Sequence, residues 1–75
     1  MGERIQGTVK WFNDSKGFGF IKTDEVDEIF VFYTNIQMSE RGEYRVLLEG
    51  ETVEFELVPG PRGPSAVDVV RLGIQ

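Results

Sequence analysis

Residues 10–22 read Lys10-Trp11-Phe12-Asn13-Asp14-Ser15-Lys16-Gly17-Phe18-Gly19-Phe20-Ile21-Lys22. Rings, glycines and lysines share one short segment. Rings stack, and lysines hold positive charge. Every base has a π-face and every nucleotide carries a phosphate, so rings beside cations suit a flat, anionic polymer. Along a strand, Phe18, Phe20 and Lys22 take one face, and Gly17, Gly19 and Ile21 take the other. Paired phenylalanines ordinarily serve a core. A small barrel has one interior, however, and Ile21 claims it, so Phe18 and Phe20 are expected to face out. Gly17 and Gly19 fit a tight bend or a close backbone approach.

A second segment repeats the pattern. In Ile29-Phe30-Val31-Phe32-Tyr33, Ile29 and Val31 share one face, and Phe30 and Phe32 share the other. If the two segments pair side by side, cross-strand Cβ atoms lie about 4.5–5.5 Å apart and four rings form one patch. On a chain of 75 residues, a patch of that kind marks a contact site or an aggregation hazard.

The elements that must position these residues are short and β-rich. Strands are expected at 5–13, 18–23, 29–34, 51–58 and 65–72. Asp14-Ser15-Lys16-Gly17 has turn chemistry, and 24–27 is an acidic turn. Val53, Phe55 and Leu57 alternate with Thr52, Glu54 and Glu56, the mark of a half-buried strand. The run Pro59-Gly60-Pro61-Arg62-Gly63-Pro64 breaks the chain before the last strand. Ala66-Asp68-Val70 and Val67-Val69-Arg71 leave that strand's inward face open. Asn35 to Met38 suggests a short helical turn, and 39–43 is polar. Several short strands separated by turns suggest a small sandwich or barrel. Closing five strands into a barrel removes exposed edges.

Composition narrows the function further. The chain has no cysteine and no histidine. Disulfides, cysteine–metal sites and the commonest general base are excluded. Gly17 and Gly19 sit in a strand and open no helix, so they do not form a nucleotide loop. Asp24-Glu25-Asp27-Glu28 lacks the spacing of a calcium loop. No enzyme, metal or cofactor is expected. No apolar run is long enough for a membrane span or signal peptide, which points to the cytoplasm. The net charge is −5, but its distribution matters more. Through residue 22, Arg4, Lys10, Lys16 and Lys22 face only Glu3 and Asp14. From 23 to 56 acids dominate, with Arg41 and Arg45 as the cations. The positive charge is expected beside the rings.

Lys16-Gly17-Phe18-Gly19-Phe20-Ile21 resembles the first ribonucleoprotein motif of RNA-recognition domains. Those domains need two helices, and their second motif precedes the first; here no helices are visible and the second aromatic strand follows. As a whole the chain resembles the bacterial cold-shock proteins. Gly7 to Asn13, Lys16 to Ile21, Ile29 to Ile36, Leu48-Glu49-Gly50, Val53-Glu54-Phe55 and Arg62-Gly63-Pro64 stand in that family's order and spacing, covering about 5–72. The resemblance implies an all-β fold, a five-stranded antiparallel OB-fold barrel, with 1–75 as a single cold-shock domain.

It also implies a site. Trp11, Phe18, Phe20, Phe30, Phe32 and Tyr44 would stack on bases, with Phe12 and Tyr33 at the margins. Lys10, Lys16 and Arg62 would reach phosphates or base edges. Simple alternation puts Trp11 on the inward face of Val9, as a plug at the barrel end. A bulge in the first strand would turn it out, and the resemblance implies that it faces out. Several positions depart from the family. Phe32 stands where a histidine is usual and lacks a ring donor and a titrating group. Tyr33 replaces phenylalanine and Thr8 a frequent lysine. Ser65 and Asp68 stand where Gln and Asn are common, and Asp68 would repel phosphate if it faced the groove. The 37–46 loop is longer than usual. Together these changes imply weaker or more stacking-dependent binding.

The partners so implied are single-stranded RNA and DNA, with the chain acting as an RNA chaperone and a regulator of transcription and translation in cold adaptation. A monomer is favoured over a strand-exchanged dimer. The reading from another class is a small protein–protein interaction module, which exposed rings and an acidic surface would also suit.

Overall fold

The computed structural model describes residues 4–37 and 46–73. Five strands follow one another: β1 (Arg4–Asn13), β2 (Phe18–Lys22), β3 (Ile29–Phe32), β4 (Thr52–Gly60) and β5 (Gly63–Gly73). They close into a barrel in the order β1-β2-β3-β5-β4. β1–β2–β3 is an antiparallel meander, and β4–β5 is an antiparallel hairpin that pairs with β1 through β4. The expected five-stranded barrel is present, with one refinement. Its closing seam, β3 against β5, is parallel and short, pairing Phe30 with Ser65 and Val31 with Ala66.

The interior is filled from the alternating positions. Val9, Ile21, Ile29, Val31, Val53, Phe55, Ala66 and Val69 are buried on the strands, joined by Ile36 and Leu47 from the connections. Burying each of these side chains, the small Ala66 apart, stabilises the barrel by about 1.5–3 kcal/mol. Phe55 is the one ring among them; β2 and β3 contribute only their aliphatic residues Ile21, Ile29 and Val31, which leaves the phenylalanines of those strands outside.

Element boundaries differ from the sequence expectation in three places. The run 59–64 does not end a strand. It is the tip of the β4–β5 hairpin, in which Pro59 opposes Pro64, Gly60 opposes Gly63 and the turn is Pro61-Arg62. Proline is tolerated there because both prolines sit at the last rungs of the ladder. β3 stops at Phe32, before the expected Thr34. The amide of Tyr33 turns to the carbonyl of Gly17 (2.7 Å), and Tyr33–Asn35 forms a 3-10 turn. The helical turn expected at Asn35 to Met38 thus begins two residues earlier, and Met38 lies outside the described residues. The 24–27 turn is as expected: the Thr23 hydroxyl accepts the amides of Glu25 (3.3 Å) and Val26 (3.0 Å).

One carboxylate is structural. Glu51, one of the acids that dominate 23–56, is buried. Its Oε1 accepts the amide of Leu48 (3.0 Å) and its Oε2 the Nε–H of Arg71 (2.8 Å). Its backbone carbonyl accepts the amide of Val9 (2.9 Å), and Gly50 N–H donates to the carbonyl of Val9 (2.9 Å). One residue therefore ties the 48–51 turn to β1 and β5. Arg71 keeps part of its surface in water, so removing Glu51 does not bury a lone charge, but it leaves the Leu48 amide without its acceptor. Glu51→Ala is expected to lower unfolding free energy by about 1–3 kcal/mol, read from urea denaturation. Glu51→Gln, which keeps an acceptor for Leu48, should lose less.

Candidate nucleic-acid interface

The site begins with an irregularity in β1. Val9 pairs with Ile21, but Trp11 pairs with Phe20, so β1 carries one extra residue between the two rungs. Lys10 is the bulge. Val9 stays buried and Trp11, which alternation alone would send inward, emerges with 40% of its surface exposed. The bulge that the sequence required for an outward Trp11 is present.

Beyond the bulge the rings gather. Phe18 opposes Phe32, and Phe20 opposes Phe30, across β2–β3. Trp11 meets Phe18 and Phe20 edge-on, with centroids 5.6 and 5.4 Å away. Phe30 is the hub. It lies nearly parallel to Phe18 (5.9 Å, 25°) and to Phe32 (6.4 Å, 14°), and meets Phe20 edge-on at 5.8 Å. Phe32 touches Tyr33 at 5.0 Å. These offset and edge-on pairs suit the ring quadrupoles. Trp11, Phe18, Phe20, Phe30, Phe32 and Tyr33 thus form one continuous outer surface.

Two glycines allow this packing. A Cβ at Gly19 would collide with the carbonyl oxygen of Trp11 and with the backbone of Phe12. β1 and β2 could not then approach closely enough to bring Trp11 onto Phe18 and Phe20. Gly17 has φ +75°, and a Cβ there would stand 2.7 Å from Cδ1 of Tyr33. The Tyr33 ring therefore rests directly on the Gly17 backbone, which fixes the end of the ring surface. The sequence flagged both glycines as candidates for close approach, but nothing in it identified Tyr33 as the neighbour of Gly17.

The remaining candidates are distributed around this surface. Phe12 does not join it. The residue after the outward Trp11 points the other way, and Phe12 is half-buried against the core. Lys16 is exposed on the β1–β2 turn, where its amide is held by the Asn13 side chain (2.9 Å). Lys10 lies within ion-pair distance of Glu28 (3.7 Å) and Asp27 (3.9 Å) on the β2–β3 turn, a contact that the sequence did not indicate. Arg62, at the hairpin tip, places its guanidinium 5.3 Å from the centroid of Phe30. Tyr44 lies outside the described residues, as does most of the 37–46 loop.

One electrostatic expectation is revised, and the condition attached to Asp68 is not met. Arg4 does not belong to the ring surface. Seven residues along β1 from Trp11, about 20 Å away, it pairs with Glu54 (3.4 Å) and Asp68 (3.2 Å). Asp68 accepts hydrogen bonds from Arg4 and from the Gln37 side chain, so its charge is neutralised there and is not directed at the rings. Among the described residues no cluster of metal-ligating side chains occurs, and no helix is long and apolar enough to cross a membrane.

A closed five-stranded barrel of this order, with rings displayed on its β1–β2–β3 face, is an OB-fold. Comparison with known proteins gives the family. Residues 5–72 match the 'cold-shock' DNA-binding domain. The chain is 50% identical over 68 residues to the cold shock-like protein CspC of Bacillus cereus, covering 91% of this chain and all of that protein. It is 52% identical over 67 residues to the cold shock protein CspA of Staphylococcus saprophyticus, covering 89% of this chain and 97% of the relative. The match to CspA of Staphylococcus aureus is 51% over the same length. The chain belongs to the cold-shock domain family, whose members are nucleic-acid-binding proteins and not enzymes.

The exposure of Trp11, the only tryptophan, gives a direct test of the bulge. Emission of the free protein should be that of a water-exposed indole and should be quenched readily by acrylamide. Shielded, blue-shifted emission would place Trp11 inside the barrel.

Proposed function

We propose that the chain binds single-stranded RNA and DNA by stacking bases on the ring surface, acting as one cold-shock domain. The observation that carries this reading is the continuity of six rings on the outside of strands whose aliphatic residues already fill the core. Apolar rings held outside a fold this small contribute little to its burial. They are the shape and chemistry of a base platform, on which each base contributes roughly 1–3 kcal/mol.

Duplex bases are held within their own stack and do not reach the rings. Binding therefore selects unpaired strands and draws hairpin equilibria toward the open form by mass action. That is RNA chaperone action without a nucleotide cofactor, and it can regulate transcription and translation where a hairpin decides the outcome. Lys10, Lys16 and Arg62 provide at most three phosphate contacts, so the logarithmic salt dependence should be no steeper than about −2.

Titration of Trp11 fluorescence with a short oligothymidine, and with a duplex of equal length, tests the reading. The single strand should quench strongly and the duplex little. Phe30→Ala should weaken binding of the oligothymidine by about 1–3 kcal/mol while thermal unfolding by circular dichroism stays cooperative. A protein that binds neither nucleic acid would move the rings to a protein-binding role.

A further inference from the structure

The central ring of the platform is not bare. Phe30 touches Phe18, Phe20 and Phe32, and over it stands the guanidinium of Arg62 at 5.3 Å. That distance is within the range of a cation–π contact. It is too long for two planes in van der Waals contact and too short for a base between them. A ring, a base and a guanidinium in three layers need about 7 Å. The cation must therefore rise by roughly 2 Å to admit a base, a small motion for an exposed arginine side chain.

The base of this arm is anchored. Arg62 follows Pro61 in the two-residue turn, between the paired Gly60 and Gly63. β5 then runs beside β3, with Ser65 opposite Phe30. The hairpin tip is thus set against the hub ring by the parallel seam. Among the described residues near the rings, Lys16 is exposed on its turn and Lys10 is directed at Asp27 and Glu28. Arg62 alone is given a ring contact. Its planar, weakly hydrated head is also the one cationic group that stacks well on a π-face.

We propose that Arg62 is the upper jaw of a base clamp whose lower jaw is Phe30. In the free protein the jaws stand 5.3 Å apart, within cation–π range. In the complex one base enters between them, stacked on Phe30 below and covered by the guanidinium above. Arg62 then acts by stacking, in place of the phosphate contact that its charge first suggests. The occupant is a single unpaired base of a strand lying across the platform, so the clamp rests on the single-strand reading above.

The two roles of a cation are separable. A phosphate contact needs only a point charge, so lysine replaces arginine well, and losing the charge makes the salt slope shallower by about 0.7. A stacked guanidinium is not replaced by an ammonium. The experiment measures oligothymidine affinity of the parent, Arg62→Lys and Arg62→Ala across a salt series, by Trp11 fluorescence. The clamp gives a loss of roughly fivefold in both variants, with salt slopes equal to that of the parent. Parental affinity in Arg62→Lys, or a shallower slope in Arg62→Ala, would overturn the clamp and return Arg62 to a phosphate contact. Parental affinity in both variants would overturn it as well, while leaving the platform in place. A parent protein that takes up no single strand would overturn the platform reading and the clamp together.

Discussion

One extra residue in β1 governs the rest of the structure. A strand has two faces, and this barrel uses both: one for a closed apolar core and one for rings. Val9 must serve the first and Trp11 the second, yet they lie on the same side of a regular strand. Inserting Lys10 between their rungs resolves the conflict. It also determines that Phe12 falls back toward the core. Gly19 completes the device, because only a residue without a side chain lets β2 pass close to the Trp11 carbonyl.

Electrostatics is subordinate to this ring surface. The chain carries a net charge of −5, and two of the cations on β1 are paired with carboxylates. Arg4 is held by Glu54 and Asp68, and Lys10 lies near Asp27 and Glu28. Exposed pairs of this kind contribute about 0–1 kcal/mol each, so they do little for the fold. What they do is lower the field that a polyanion meets on approach. On the proposed reading, affinity for a strand is then governed by contact with the rings, and indiscriminate attraction to phosphate is small.

Much of this was legible in the sequence, and the exceptions share a cause. In β2, β3 and β4 alternation runs uninterrupted, so Ile21, Ile29, Val31, Val53 and Phe55 could be placed inside and Phe18, Phe20, Phe30 and Phe32 outside. In β5 it does not. Ala66 and Val69 are both buried, three residues apart, because an extra residue lies opposite the Glu54–Glu56 stretch and Asp68 takes φ 56°. A period-two reading could not settle that strand. For Trp11 parity pointed the wrong way, and only resemblance to a family turned it outward. Glu51 was illegible for another reason: its partner Arg71 is twenty residues away, and nothing local distinguishes a buried carboxylate from a solvated one. The parallel seam, the Tyr33–Gly17 contact and the position of Arg62 over Phe30 are likewise products of tertiary closure.

The order of the strands separates the two faces of the sheet in folding as well as in space. The ring surface is drawn almost wholly from the β1–β2–β3 meander, whose pairings join residues close in sequence. The core of the same meander has no cover until β4 and β5 arrive; Arg4, for instance, waits for Glu56. Local pairing is fast, and long-range closure costs loop entropy before any burial offsets it. On a growing chain, the part that displays the rings is therefore synthesised well before the part that makes it stable. The two apolar faces of the early sheet are exposed together, and the late hairpin covers only one of them.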